Sequence, residues 1–218
     1  MRIFLSLERE NYDNIIICLQ GPGLVGPIVG EYLVEYCKFR ESGFLIPEES
    51  VPLAIIIDGK IYHPVRIFSK GATILILVDI TLPSRSEVEF YKLVREIYGR
   101  YKVKRIIIVN GMESIDRSVY FVSNYKERVE GKKLKEGILT GIPALFLLDK
   151  GTNSTLLLGG VKEKGMDPES ALNILKVISN LLEEKIPLKP LEEEIKKFKE
   201  RIPKIKEKVG MVKERIFR

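Results

Sequence analysis

The sequence predicts an α/β domain, a mostly parallel mixed sheet with helices on both sides, followed by a helical tail. Three observations predict it. Strand-like runs alternate with helical patterns along the first 184 residues. Several of those runs are apolar at every position, as strands covered on both faces require. The remaining segment, 185–218, instead carries one long heptad pattern.

Taken in order, Ile15-Ile16-Ile17-Cys18-Leu19 reads as a first buried strand, and Gly21-Pro22-Gly23-Leu24-Val25-Gly26 as the turn into a helix over Val25–Phe39. Gly43 and Pro47 interrupt any regular strand in the stretch after that helix. Leu53–Ile57 and Ile61–Phe68 read as strands joined at Asp58-Gly59, a two-residue hairpin signal that predicts an antiparallel pair within the sheet. Ile74–Val78, Ile106–Val109 and Leu156–Leu158 supply further strands, and Asn110-Gly111 reads as a turn after the second of these. Helices are expected over Ser84–Tyr101, in part of 124–150 and over Pro168–Glu184. The last has a strong start, because Asp167 can accept orphan amides, Pro168 suits the first helical position and Glu169 complements the dipole.

Apolar residues in the tail fall at Leu188, Leu191, Ile195, Phe198, Ile202, Ile205, Val209, Val212 and Ile216, alternately three and four apart. Pro203 should kink that helix without breaking its phase. A parallel self-pairing would set Arg201 against Lys206 and Lys208 against Lys213, so packing on the protein's own body, an antiparallel arrangement or an acidic partner fits better. The expected division is an α/β domain over 1–184 and a basic heptad-patterned tail over 185–218.

Composition excludes several functions. With 218 residues, 45% of them apolar, the chain can bury a large core, and no apolar run is long enough to cross a bilayer. A cytoplasmic protein is expected. Cys18 and Cys37 fall in a strand-like and a helical stretch and read as small buried hydrophobes. The single histidine, His63, stands before Pro64 in a strand-like run and reads as a structural imidazole, which excludes histidine-based metal sites. The net charge of +6 lies wholly in the tail, which holds 12 basic and 6 acidic residues against 24 and 24 elsewhere. That distribution, without interleaved aromatic platforms, weighs against nucleic-acid binding.

Gly21, Gly23 and Gly26 have the spacing of a dinucleotide-binding loop between strand and helix. Pro22 removes one amide from that loop, and no second strand delivers an acidic residue roughly 20 positions on. The competing reading is a turn that lets strand and helix approach closely. Asp79, Glu113 and Asp116 sit near strand ends, where α/β enzymes place their chemistry, but nothing in the sequence makes them converge. Ser118, Ser123 and Ser154 lack a nucleophile-elbow context. The final Ile216-Phe217-Arg218 is hydrophobic, aromatic, then basic, and such a peptide can seat its ring in a pocket while a partner cation receives the terminal carboxylate.

The glycine loop followed by Tyr32-Leu33, then Gly137 and Gly141 before Ala144-Leu145-Phe146-Leu147-Leu148, then Asp167-Pro168-Glu169-Ser170-Ala171 and Ile186-Pro187-Leu188 before Leu191-Glu192, resembles the archaeal branch of the proteasome assembly chaperone family. The likeness spans about residues 14–200. It implies a three-layer α/β fold similar to nucleoside phosphorylases without their chemistry, no cofactor and no catalytic residue. It further implies an ATP-independent chaperone that binds 20S α-subunits, helps their ring assemble and forms homo-oligomers. The family's C-terminal hydrophobic-tyrosine-anything motif maps onto Ile216, Phe217 and Arg218, with phenylalanine in place of tyrosine. The alternative is a nucleotide- or nucleoside-binding enzyme, ATP-grasp-like or phosphorylase-like, using the loop at 21–26.

Overall fold

The computed structural model describes residues 1–47, 53–57 and 59–197. The chain forms two units, Met1–Ile186 and Pro187–Arg218. In chain order the first contains β1 (Arg2–Leu5), β2 (Asn14–Leu19), α1 (Val25–Cys37), β3 (Arg40–Ile46), β4 (Ile55–Ile57), β5 (Lys60–Tyr62), β6 (Val65–Lys70) and β7 (Thr73–Val78). It continues with α2 (Ser84–Arg100), β8 (Arg105–Glu113), β9 (Val119–Ser123), β10 (Lys132–Lys133), α3 (Gly141–Leu148), β11 (Ser154–Val161) and α4 (Pro168–Leu182). In the second unit, residues 189–197 are helical. The rest of the heptad pattern, from Phe198 onward, and with it Ile216, Phe217 and Arg218, lies outside the described residues.

The main sheet has the order β1-β3-β6-β7-β2-β8-β11-β9-β10. Its centre, β7-β2-β8-β11, is parallel. Antiparallel β6, β3 and β1 extend one side, while β9 runs antiparallel to β11 on the other. β2, β7 and β11 are buried at every position, their apolar runs covered on both faces and Asn14, Thr73, Ser154 and Thr155 at their starts buried with them. On one face Ile15, Ile17, Ile76, Ile106, Ile108 and Leu156 pack with Phe90 and Val94 of α2 and Phe146 of α3. α2 presents Ser86, Phe90, Val94 and Ile97 to that core at helical spacing. On the other face Gly159 of β11 meets Val25 of α1 and Ser170 and Ile174 of α4, while Gly30 of α1 meets Leu77. A mixed α/β sheet flanked by helices is thus the architecture, as the alternation of runs predicts.

Local signals held where they involved the backbone directly. Asp167 accepts a hydrogen bond from the Ser170 amide at 3.1 Å, and Pro168 opens α4. The stretch read as one strand over Ile61–Phe68 is instead two, β5 and β6, divided at His63-Pro64, because proline offers no amide to a ladder. The expected antiparallel pair forms, with Ile57 opposite Lys60, yet β4 and β5 make a separate two-stranded sheet and do not join the main one, and Asp58 itself lies outside the described residues. β3 passes through Gly43, where no regular strand was expected, and absorbs the irregularity as a register shift between Glu41 and Gly43. Gly43 is required there: a Cβ would stand 2.0 Å from the Phe4 carbonyl oxygen of β1. Asn110-Gly111 lies inside β8, not in a turn after it. β1, β9 and β10 were not foreseen.

Candidate functional site

The loop between β2 and α1 is built by a short 3-10 turn, Pro22–Leu24, in which Gly23 and Leu24 both adopt left-handed backbone, φ 67° and 49°. Only glycine enters that region freely, so Gly23 is explained by conformation alone. Its neighbours are explained by distance. A Cβ on Gly21 would come within 1.9 Å of Asn110 Oδ1, and one on Gly26 within 2.1 Å of the Leu19 carbonyl oxygen. From the other side, a Cβ on Gly111 of β8 would meet the Pro22 carbonyl oxygen at 1.9 Å. The loop is pressed onto β8, and the Asp167 amide donates to the Gly23 carbonyl at 2.8 Å, tying it to the start of α4.

The charges at the start of α4 are engaged with one another. Arg117 holds both carboxylate oxygens of Asp167, at 2.8 and 2.9 Å, and reaches Glu169 at 3.3 Å. Glu113 lines an open crevice of about 580 Å³ with Pro22, Gly23, Lys162, Glu163 and Lys164. A second crevice, about 380 Å³, lies beyond the carboxyl ends of β2, β7 and β8, where open α/β sheets bind ligands; Gln20, Thr81, Glu87, Asn110 and Thr140 line it. Neither crevice is lined by an arginine, and the second has no lysine, so a polyphosphate would find little countercharge in it.

The strand-end carboxylates do not share a partner. Asp79 accepts from the Arg66 guanidinium at 2.8 and 3.2 Å, and Arg66 also bonds Glu31 of α1. Burial pushes the Asp79 carboxyl up against the opposing pull of Arg66. Asp116 stands elsewhere, bonded by Lys132 at 2.7 Å, the Ser118 amide at 2.9 Å and the Tyr120 hydroxyl at 3.1 Å, which hold it below the usual carboxylate range. Ser123 donates to the Ser154 carbonyl and Ser154 pairs with Thr152, so both hydroxyls serve the strand margin. Cys18 and Cys37 are buried free thiols, each pushed up chiefly by burial. The His63 ring lies flat on Phe44, centroids 3.7 Å apart. Among the described residues no group of three or more His, Cys, Asp or Glu is arranged to hold a metal ion, and no helix is long and apolar enough to cross a membrane.

Sequence reasoning missed the Arg66 network. Its signal was present, since a lone charge inside an otherwise buried strand run needs carboxylate partners. Tyr125 was missed as well: beside Glu127 and half-buried, its hydroxyl is pushed up to about 12, first by burial.

Fold and site together define a class: an α/β protein of ligand-binding topology whose glycine loop is filled by its own chain. Comparison supplies the family. The PAC2 family model matches residues 15–206, and the chain belongs to the PAC2 family. The same architecture occurs in the crystal structure of Pyrococcus furiosus PbaA, an archaeal homologue of proteasome-assembly chaperone, with a TM-score of 0.88 at 23% identity over 98% of this chain and 95% of that one. Pyrococcus furiosus PbaB, an archaeal proteasome activator, gives 0.78 at 18% identity over 94% and 98%. An uncharacterised protein of Methanocaldococcus jannaschii is 22% identical over 202 residues, 88% of this chain and 85% of its own. This is the family that the ordered glycine, Asp-Pro-Glu and Ile-Pro-Leu motifs resemble.

Proposed function

We propose that this protein is an ATP-independent assembly chaperone that binds 20S proteasome α-subunits, assists formation of their ring and turns over no substrate. The observation that carries this reading is the PAC2 match over residues 15–206, joined by a likeness to PbaA that extends over nearly the whole chain. The filled glycine loop supports it, because the residues that most invite a nucleotide have a sufficient reason in packing. In this reading the protein works in the cytoplasm as a homo-oligomer. The basic tail from residue 185 grips the partner, and Ile216, Phe217 and Arg218 enter a pocket on the α-subunit. Phe217 offers ring area without a phenolic hydrogen bond.

Co-purification with the α-subunit tests it directly. The full chain should retain the subunit, a chain ending at Glu184 should lose it, and removal of 216–218 should weaken it. Equal retention by all three would overturn the tail's role, and no retention by the full chain would overturn the function. Tight calorimetric binding of ATP, NAD or a nucleoside would favour an enzyme acting at the crevices beside Gly21 and Gly23.

A further inference from the structure

The crevice of about 380 Å³ beyond the carboxyl ends of β2, β7 and β8 has the size of a small-molecule site and lies where open α/β sheets hold their ligands. Its polar groups are largely unspent. Asn110 is packed against Gly21, and its Oδ1 accepts from the Gly111 amide at 2.8 Å, while Nδ2 has no partner among the described residues. The Gly111 amide needs an acceptor, so the NH2 group is what Asn110 has left to offer. Gln20 repeats this at the exposed rim, with Oε1 accepting from Thr81 at 3.5 Å and Nε2 left over. Glu87 reaches from the first turn of α2 to the start of α3, where a Cβ on Gly141 would stand 2.5 Å from its Oε1. Its carboxylate makes no ion pair among the described residues, and the Thr140 hydroxyl, which also lines the crevice, caps no amide.

These free groups select a ligand by its chemistry. An anion would face the Glu87 carboxylate with no lysine or arginine in the lining to offset it. The carboxylate of an amino acid would meet the same lack. A simple cation would suit Glu87 but leave two NH2 groups pointing donors at a positive charge. A nucleobase would find no aromatic ring among the lining residues to stack on, and an apolar molecule would strip water from every polar group without replacing its bonds. A hydroxyl alone both accepts from an amide and donates to a carboxylate, and neighbouring hydroxyls on one carbon skeleton do so side by side. Leu19, Leu82 and Ile142, buried residues that also line the crevice, give the C–H face of such a skeleton an apolar surface.

We infer that this crevice binds a small uncharged polyhydroxylated molecule, a free sugar or polyol, whose hydroxyls donate to Glu87 and accept from Asn110 Nδ2 and Gln20 Nε2. The molecule is bound and released unchanged. Cleaving a glycosidic bond takes a pair of carboxylates, and among the described residues Glu87 is the one carboxylate in the lining. Binding here needs neither the tail nor an α-subunit, so the site stands apart from the proposed chaperone function.

Calorimetry of the full chain with D-glucose, D-ribose and myo-inositol tests this, with adenosine and glycine as the competing classes. At least one of the first three should bind saturably, tighter than about 1 mM, and the same compound in excess should raise the temperature of unfolding. Adenosine carries the ribose hydroxyls on a base and so separates a free sugar from a nucleoside. Glu87→Gln should weaken the sugar at least about tenfold and Thr140→Val several-fold, while Glu113→Gln, in the other crevice, should leave it unaltered. Without sugar the Glu87→Gln protein should unfold within a few degrees of the native one, because Glu87 has no ion pair to lose, so lost binding is not lost fold. No binding of any of the three, binding undiminished by Glu87→Gln, or a preference for adenosine or glycine would each overturn the inference. Co-purification with the α-subunit is read independently of these titrations, so the two proposals fail separately.

Discussion

The junction of α1 with β2 and β8 and the margin formed by β1, β3 and the β4–β5 hairpin are both rich in isoleucine and glycine, yet they are opposites. At the junction every glycine is in contact: Cβ atoms at positions 21, 26 and 111 would fall within about 2 Å of neighbouring atoms. At the margin Gly43 is held as tightly, by the Phe4 carbonyl, but the turn glycine Gly59, like Gly71 in the β6–β7 turn, would meet nothing within 4 Å, and Ile56 and Ile61 stand in solvent. The junction is closed by its own helices, whereas the outward face of the β4–β5 hairpin leaves Ile56 and Ile61 exposed. A pattern of residue types therefore does not reveal whether a glycine serves packing, a turn or a ligand; what approaches it decides.

Substitution with alanine should break that symmetry of sequence most strongly. Gly111→Ala forces a Cβ into the Pro22 carbonyl and should cost about 4 kcal/mol, because a backbone cannot yield as a side-chain tip can. Gly71→Ala, at φ 53° in open space, should cost about 1 kcal/mol, the penalty of left-handed backbone alone. Urea unfolding of both variants measures the contrast, and equal losses would show that the loop is not packed as described.

Next in size is Arg66, which stands on the boundary between the regions, bonding Glu31 of α1 and Asp79 while lying near the Tyr62 ring of the hairpin. Arg66→Ala should cost about 3 kcal/mol by leaving Asp79 buried without its cation. Amide exchange should rise in β5 more than in β2, since only the former loses its contact with the body. Uniform change across both would separate the hairpin from this network.

The smallest effect belongs to the opposite margin, at Asp116. Its carboxyl is held below the ordinary value of 3.8 by Lys132, the Ser118 amide and Tyr120. A carboxyl depressed by folding contributes stability that is present in full above that ordinary value and is lost as pH falls through the lower folded one. Asp116→Asn should therefore be less stable than the native protein at neutral pH, and the difference should begin to shrink as pH falls below 3.8 and close only below the lowered folded value. A constant difference down to strong acid would rule out the depressed carboxyl.

Legibility followed the range of the interaction. α1, α2 and α4 were readable within two residues at each end, since capping and helical periodicity are local. The four central strands were readable because burial on both faces leaves an unbroken apolar run. β1, β9 and β10 were not, because short margin strands are made by the neighbour they pair with. Among the candidate residues, the loop at Gly21, Gly23 and Gly26 was found, but whether it was a ligand cradle or a packing surface could not be decided without Asn110 and Leu19 in place. Arg66 is the reverse case: its need for partners was visible in the strand, and their identity, Glu31 35 residues before it and Asp79 13 after, was not.

By itself the sequence determined the alternation of strands and helices, the cap at Asp167, the excess of positive charge in the tail and the order of motifs that marks the PAC2 family. Those are properties of neighbours along the chain, expressed through hydrogen bonds and periodicity a few residues long. The tertiary structure alone decided that the glycine loop is pressed shut onto β8 and that β4 and β5 stand apart from the main sheet with Ile56 and Ile61 exposed. Both depend on excluded volume between segments far apart in sequence, a quantity that has no value until the chain is folded.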